Sequence, residues 1–127
     1  MKAVQVSEFG PVGQAVLADV ADPVAKAGEV VIGVEVAEAN YPDLLMMEGR
    51  YQIKPPLPFT PGKGAAGRVI ALGAGISDLK IGQRVAAQLE YGAFADKISV
   101  RRSLCYPVPD GVDIRHACAI VLTYQTA

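Results

Sequence analysis

Two cysteines, Cys105 and Cys118, and one histidine, His116, are the chain's whole supply of thiol and imidazole side chains. They are too few for a disulfide framework, and no paired CxxC or His-rich spacing marks a zinc site. A reducing compartment fits them best. In a helical reading of the segment after Asp113, His116 falls opposite the apolar face of Ile114, Ala117, Cys118, Val121 and Leu122, which makes it a surface residue rather than a base. The other polar side chains in suggestive places are Asn40, Asp43, Tyr51 and Lys63 in mid-chain and Thr126 near the end. Taken alone, Asn40 is an N-cap or turn residue, Asp43 complements the positive start of a helix, and Tyr51 packs a loop. Lys63 reads as a solvated loop charge in preference to a partner for a phosphate, and Thr126 as an ordinary helix threonine. Gly64, Gly67, Gly73 and Gly75 invite a dinucleotide fingerprint, but no G-x-G-x-x-G stands between a strand and a helix with an acid downstream, so that reading is rejected.

The elements that must position these residues are mostly strands. With 51% hydrophobic and 20% charged residues the 127-residue chain can build a core, and Gly 13 with Pro 9 points to many short strands rather than a helical bundle. Residues 2–6 and 15–20 read as a hairpin around Gly10-Pro11-Val12-Gly13. Residues 30–37, with β-branched side chains at alternate positions, form the clearest strand. A short helix is predicted over 41–48, with Pro42 in its first turn and Gly49 at its exit, followed by a proline-rich loop over 54–62. The small residues opening 64–73 predict a strand that lets another backbone or a ligand approach closely. Strands are expected again at 84–89, 93–100 and 104–108, and a helix after an Asp113 N-cap. No repeat or linker divides the chain, so one domain is expected.

Twelve basic and thirteen acidic side chains give a net charge of −1, which argues against a nucleic-acid partner. Neither a signal peptide nor an apolar run long enough to cross a membrane is present, so a cytoplasmic protein with no membrane partner is expected. Residues 120–127 stop in a helical pattern with no glycine cap, which predicts a truncated chain.

Asn40-Tyr41-Pro42-Asp43, Gly49-Arg50-Tyr51, Leu57-Pro58-Phe59-Thr60-Pro61-Gly62 and Gly67-Arg68-Val69 closely resemble the catalytic domain of the medium-chain dehydrogenase/reductase superfamily. Gly73-Ala74-Gly75, Gly82-Gln83-Arg84-Val85, Gly92-Ala93-Phe94-Ala95 and Tyr106-Pro107-Val108-Pro109 continue the resemblance in order, over almost the whole chain. Within the superfamily the chain resembles the zinc-independent NADPH:quinone oxidoreductase branch. The resemblance implies a mainly β fold, a GroES-like partly open β-barrel with a short helix near 41–48 and a C-terminal helix. Residues 1–127 are then a GroES-like catalytic domain, and the nucleotide-binding Rossmann domain is absent from this chain.

The metal ligands of the zinc-dependent relatives are replaced position by position. Asn40 stands where they carry the first Cys ligand, Lys63 where they carry His, and the four-cysteine lobe has no counterpart, so no metal is expected. One departure is Gly64, where relatives usually carry Glu. By resemblance Asn40 becomes a catalytic and cofactor-binding residue whose amide reaches the nicotinamide or a substrate carbonyl. Tyr51 becomes a proton donor, as proposed for similar enoyl-thioester reductases, and Thr126 lies near the nicotinamide.

The expected activity is NADPH-dependent reduction of quinones or other α,β-unsaturated carbonyls by hydride transfer. The expected partner is a small carbonyl or quinone substrate, with a homodimer possible for the full-length enzyme. The fragment alone is expected to be inactive and to bind NADPH weakly or not at all. The alternatives are an enoyl- or acryloyl-thioester reductase on the same scaffold and a stand-alone, non-catalytic GroES-like binding module.

Overall fold

A computed structural model describes residues 1–10, 15–38, 43, 47–49 and 56–119. Among the described residues seven strands carry the fold: β1 Lys2–Gln5, β2 Val16–Asp19, β3 Glu29–Glu38, β4 Gly64–Leu72, β5 Arg84–Gln88, β6 Lys97–Arg101 and β7 Cys105–Pro107. β1 and β2 form the expected antiparallel hairpin, and the other five lie in the order β6-β3-β4-β5-β7, every pair antiparallel. Isolated bridges Ala3↔Ala95 and Val6↔Phe59 tie the hairpin to the larger sheet, so the two sheets curl into a partly open barrel. Register shifts at Val31/Ile32 and Val34/Val36 bend β3, the longest strand.

Strand alternation divides the core in two. Val30, Ile32, Ala65, Val69, Val85 and Ala87 point inward into one buried cluster with Ile98, Val100 and Cys105. Ala66 and Ala86, one residue out of phase, face the other way and pack against Val108, Ala117 and Cys118, with Val36 and Ile114 partly buried beside them. Each fully buried Val or Ile of the inner cluster contributes about 1.5–3 kcal/mol. Two glycines of β4 and its exit are fixed by backbone crowding. A Cβ on Gly67 would lie 1.9 Å from the Gly33 carbonyl oxygen, and one on Gly73 would lie 1.8 Å from that of Lys26. The small residues of 64–73 therefore serve close backbone approach, as the sequence predicts.

Residues 114–119 form the C-terminal helix. Asp113 caps it, its Oδ1 accepting the Arg115 backbone N–H at 2.8 Å. Asp43 and Met47 have helical backbone within the segment expected to be a helix, whose other residues lie outside those described. The strand expected at 93–100 begins only at Lys97. Its first four residues have other partners: the N–H of Ala93 goes to Gly62, that of Phe94 to Pro61 and that of Asp96 to Lys2. That stretch joins the two sheets instead of extending one ladder. The last expected strand likewise shortens to β7, because Arg102–Leu104 winds into a 3-10 turn.

Candidate functional site

The polar end of the β3–β4 ladder starts with Pro61-Gly62-Lys63. Gly62 has φ +109°, and a Cβ there would sit 2.7 Å from the Phe94 ring, so glycine alone fits the bend. Three backbone hydrogen bonds clamp this bend to the 89–94 segment: Phe94 N–H to Pro61 O (3.0 Å), Ala93 N–H to Gly62 O (3.1 Å) and Leu89 N–H to Lys63 O (2.7 Å). The clamp covers the Lys63 side chain, which is only 8% exposed and donates from Nζ to the Glu90 carbonyl at 3.1 Å. The solvated loop charge expected at Lys63 is thus corrected to a buried, hydrogen-bonded ammonium.

Directly across the ladder, Glu38 pairs with Gly64. Opposed residues of an antiparallel pair project to the same face, so Glu38 and Gly64 share the face of Val36 and Ala66, on which Cys118 packs. Glu38 Oε2 is buried and has no hydrogen-bond partner. Cys118 Sγ donates to the Val36 carbonyl at 3.8 Å. Burial first, and the negative Glu38 second, push its thiol up to about 11. Burial pushes the Cys105 thiol up to about 11 as well. Both cysteines stay protonated at neutral pH and offer no thiolate nucleophile. Asp43 is 2% exposed and, with Lys63, makes up the buried charged side chains among the described residues. Met47, four residues on, packs with Val6 and Phe59.

Asn40, Tyr51 and Thr126, the residues singled out from the sequence, lie outside the described residues. His116 is exposed, in agreement with its place on the helix. Among the described residues no group of three or more His, Cys, Asp or Glu side chains could hold a metal, and no helix is long and apolar enough to cross a membrane. Glu38 escaped the sequence reading, which ends the strand at residue 37. The available signal was parity, since Glu38 stands two positions beyond Val36 on the helix-facing side.

The curled antiparallel sheet, joined to a short hairpin, is that of a GroES-like partly open barrel. Residues 26–110 match the alcohol dehydrogenase GroES-like domain, and the chain belongs to that family. It is 34% identical over 131 residues to a quinone oxidoreductase from Rattus norvegicus, a match covering 100% of this chain and 39% of that protein. It is also 34% identical over 105 residues to the synaptic vesicle membrane protein VAT-1 homolog of the same species, covering 83% of this chain and 26% of the relative. Among solved structures, a mycobacterial protein complexed with NADPH superposes with a TM-score of 0.91 at 31% identity, over 99% of this chain and 39% of that one. The chain thus spans well under half the length of the proteins it matches.

Proposed function

We propose that this chain is the substrate-side half of an NADPH-dependent, zinc-independent oxidoreductase that reduces quinones or other α,β-unsaturated carbonyls. Its nucleotide-binding partner is a separate Rossmann domain of the complete enzyme. The observation that carries this reading is the match across the whole chain to a quinone oxidoreductase, reinforced by a structural neighbour complexed with NADPH. Glu38 Oε2, a buried acceptor without a donor at the end of the β3–β4 ladder, fits the approach of a ligand that carries N–H or O–H groups.

When bound, the reduced nicotinamide supplies a hydride to the electron-poor carbon of the substrate. The chain's own residues position the acceptor, exclude water and offset the charge that develops on the substrate oxygen. In this reading the Asn40 amide donates to the substrate carbonyl or holds the nicotinamide, and Thr126 lines the nicotinamide side of the cleft. The Tyr51 phenol delivers the proton that completes reduction of the double bond.

The test is NADPH consumption by the complete enzyme with a benzoquinone and, separately, with crotonyl-CoA. Turnover of the quinone is expected. Turnover of crotonyl-CoA alone, with loss of that activity in Tyr51→Phe, would replace the quinone reading by that of a thioester reductase. Turnover of neither would overturn the enzymatic reading. The 127-residue chain by itself is expected to show no micromolar NADPH affinity in a calorimetric titration.

A further inference from the structure

Glu38 poses a physical problem that the fold does not solve. Its Oε2 is shielded from water and lacks a hydrogen-bond partner, although a carboxylate oxygen removed from water without a donor is costly. Buried acceptors are almost always satisfied, and each exception calls for an explanation such as strain, a catalytic role, or a bound water or ion. Among the described residues, those sharing its face offer no donor to this oxygen. The opposed residue is Gly64, which has no side chain to donate a hydrogen bond or fill the space. Val36, Ala66 and Cys118, on the same face, are apolar or weakly polar, and the Cys118 thiol is already directed to the Val36 carbonyl. Register alone puts Glu38 on the face of Val36 and Ala66, the face on which Cys118 of the C-terminal helix packs. Asn40 lies two residues further along the chain.

We propose that Glu38 is a cofactor-contacting residue whose carboxylate accepts a hydrogen bond from an N–H or O–H donor on the nicotinamide-riboside half of the reduced dinucleotide. The assignment rests on the oxidoreductase reading and adds to it a residue on the described part of the chain. Amide and hydroxyl donors suit the site because it offers an acceptor in an otherwise apolar setting, where a charged hydrogen bond gains most.

The sign of the effect separates this contact from general electrostatics. The dinucleotide is a polyanion, so removing a carboxylate that merely contributed negative potential would tighten binding. Removing a specific acceptor weakens it. The experiment is a fluorescence titration of the complete enzyme with NADPH, combined with thermal melting of the ligand-free enzyme. Three proteins are compared: the parent, Glu38→Leu, and Glu35→Leu as a control on the exposed side of the same strand. Glu38→Leu is expected to raise the Kd for NADPH about tenfold or more, the loss of one charge-assisted hydrogen bond. Its ligand-free melting temperature is expected to equal or exceed that of the parent, because an unsatisfied buried oxygen has been removed. Glu35→Leu is expected to leave the Kd unchanged or slightly lower. An unchanged or lower Kd in Glu38→Leu overturns the proposal while leaving the oxidoreductase reading intact. A melting temperature that falls together with the affinity assigns Glu38 a structural role and overturns it too. Failure of the parent to bind NADPH overturns both.

Discussion

At one end of the β3–β4 ladder Val30 faces Leu72, and the chain leaves through Gly73, whose N–H bonds the Glu29 carbonyl and whose Cα faces the Lys26 oxygen too closely for any side chain. At the other end Glu38 faces Gly64 beside the buried Lys63, and one carboxylate oxygen is left without a donor. The same two strands thus build a tightly packed apolar end and a polar end that is buried yet incomplete. With Glu38 as the proposed cofactor contact, packing and stability are assigned to the first and ligand reception to the second. Substitutions at the apolar end should change folding stability with little effect on ligand affinity, whereas those at the polar end should do the reverse or affect both.

The largest effect expected is at the close crossings. Gly67→Ala puts a methyl group 1.9 Å from the Gly33 oxygen, so the β3–β4 pairing must separate. A loss of about 4 kcal/mol or more, or no soluble folded enzyme, is the outcome expected in urea denaturation. Gly75→Ala provides the contrast, because its Cβ would meet nothing within 4 Å and only the φ of +88° is unfavourable. About 1–2 kcal/mol should be lost there.

Ile32→Ala empties a fully buried position in the inner cluster and should cost about 2–5 kcal/mol, with an unchanged Kd for NADPH in the surviving folded enzyme. A shift of that Kd comparable to the one expected for Glu38→Leu would break the division between the two ends. Lys63→Met leaves the Glu90 carbonyl without this donor and should cost about 1–3 kcal/mol while also changing NADPH affinity, both read from titrations followed by melting.

The smallest effect belongs to the helix cap. Hydrogen bonds from the Arg115 side chain first, and its backbone N–H second, hold the Asp113 carboxyl at about 2. Because the folded value lies below the unfolded one near 3.8, the contribution is present above about pH 4 and fades as pH falls toward 2. Asp113→Asn should therefore melt slightly below the parent at neutral pH, and the gap should close in acid, as a melting series across pH would record.

Much of this architecture is legible in the sequence. Alternating β-branched residues reveal β3, the Gly-Pro turn reveals the first hairpin, and the apolar stripe with Asp113 at its head reveals the C-terminal helix. Local rules fail where partners come from far along the chain. Ala93 to Asp96 look like a strand, yet the N–H groups of Ala93, Phe94 and Asp96 bond residues 62, 61 and 2, and no periodicity announces such a crossing. Lys63 looks like a solvated loop charge, yet residues 89–94 cover it. Glu38 looks like a polar strand end, and only the register that sets it opposite a glycine reveals a buried oxygen without a donor. For the candidate site, Asn40, Tyr51 and Thr126 rest on motif resemblance, whereas Glu38 emerges from the three-dimensional pairing.

The most direct measurement is backbone hydrogen exchange along β3 and β4 of the complete enzyme with and without NADPH. Slower exchange confined to the end containing Val36 to Glu38 and Gly64 to Ala66 is the predicted result, with Val30, Val31 and Leu72 unaffected. Equal protection along both strands, or protection only at the Val30–Leu72 end, would contradict the assignment of ligand reception to the polar end of the ladder.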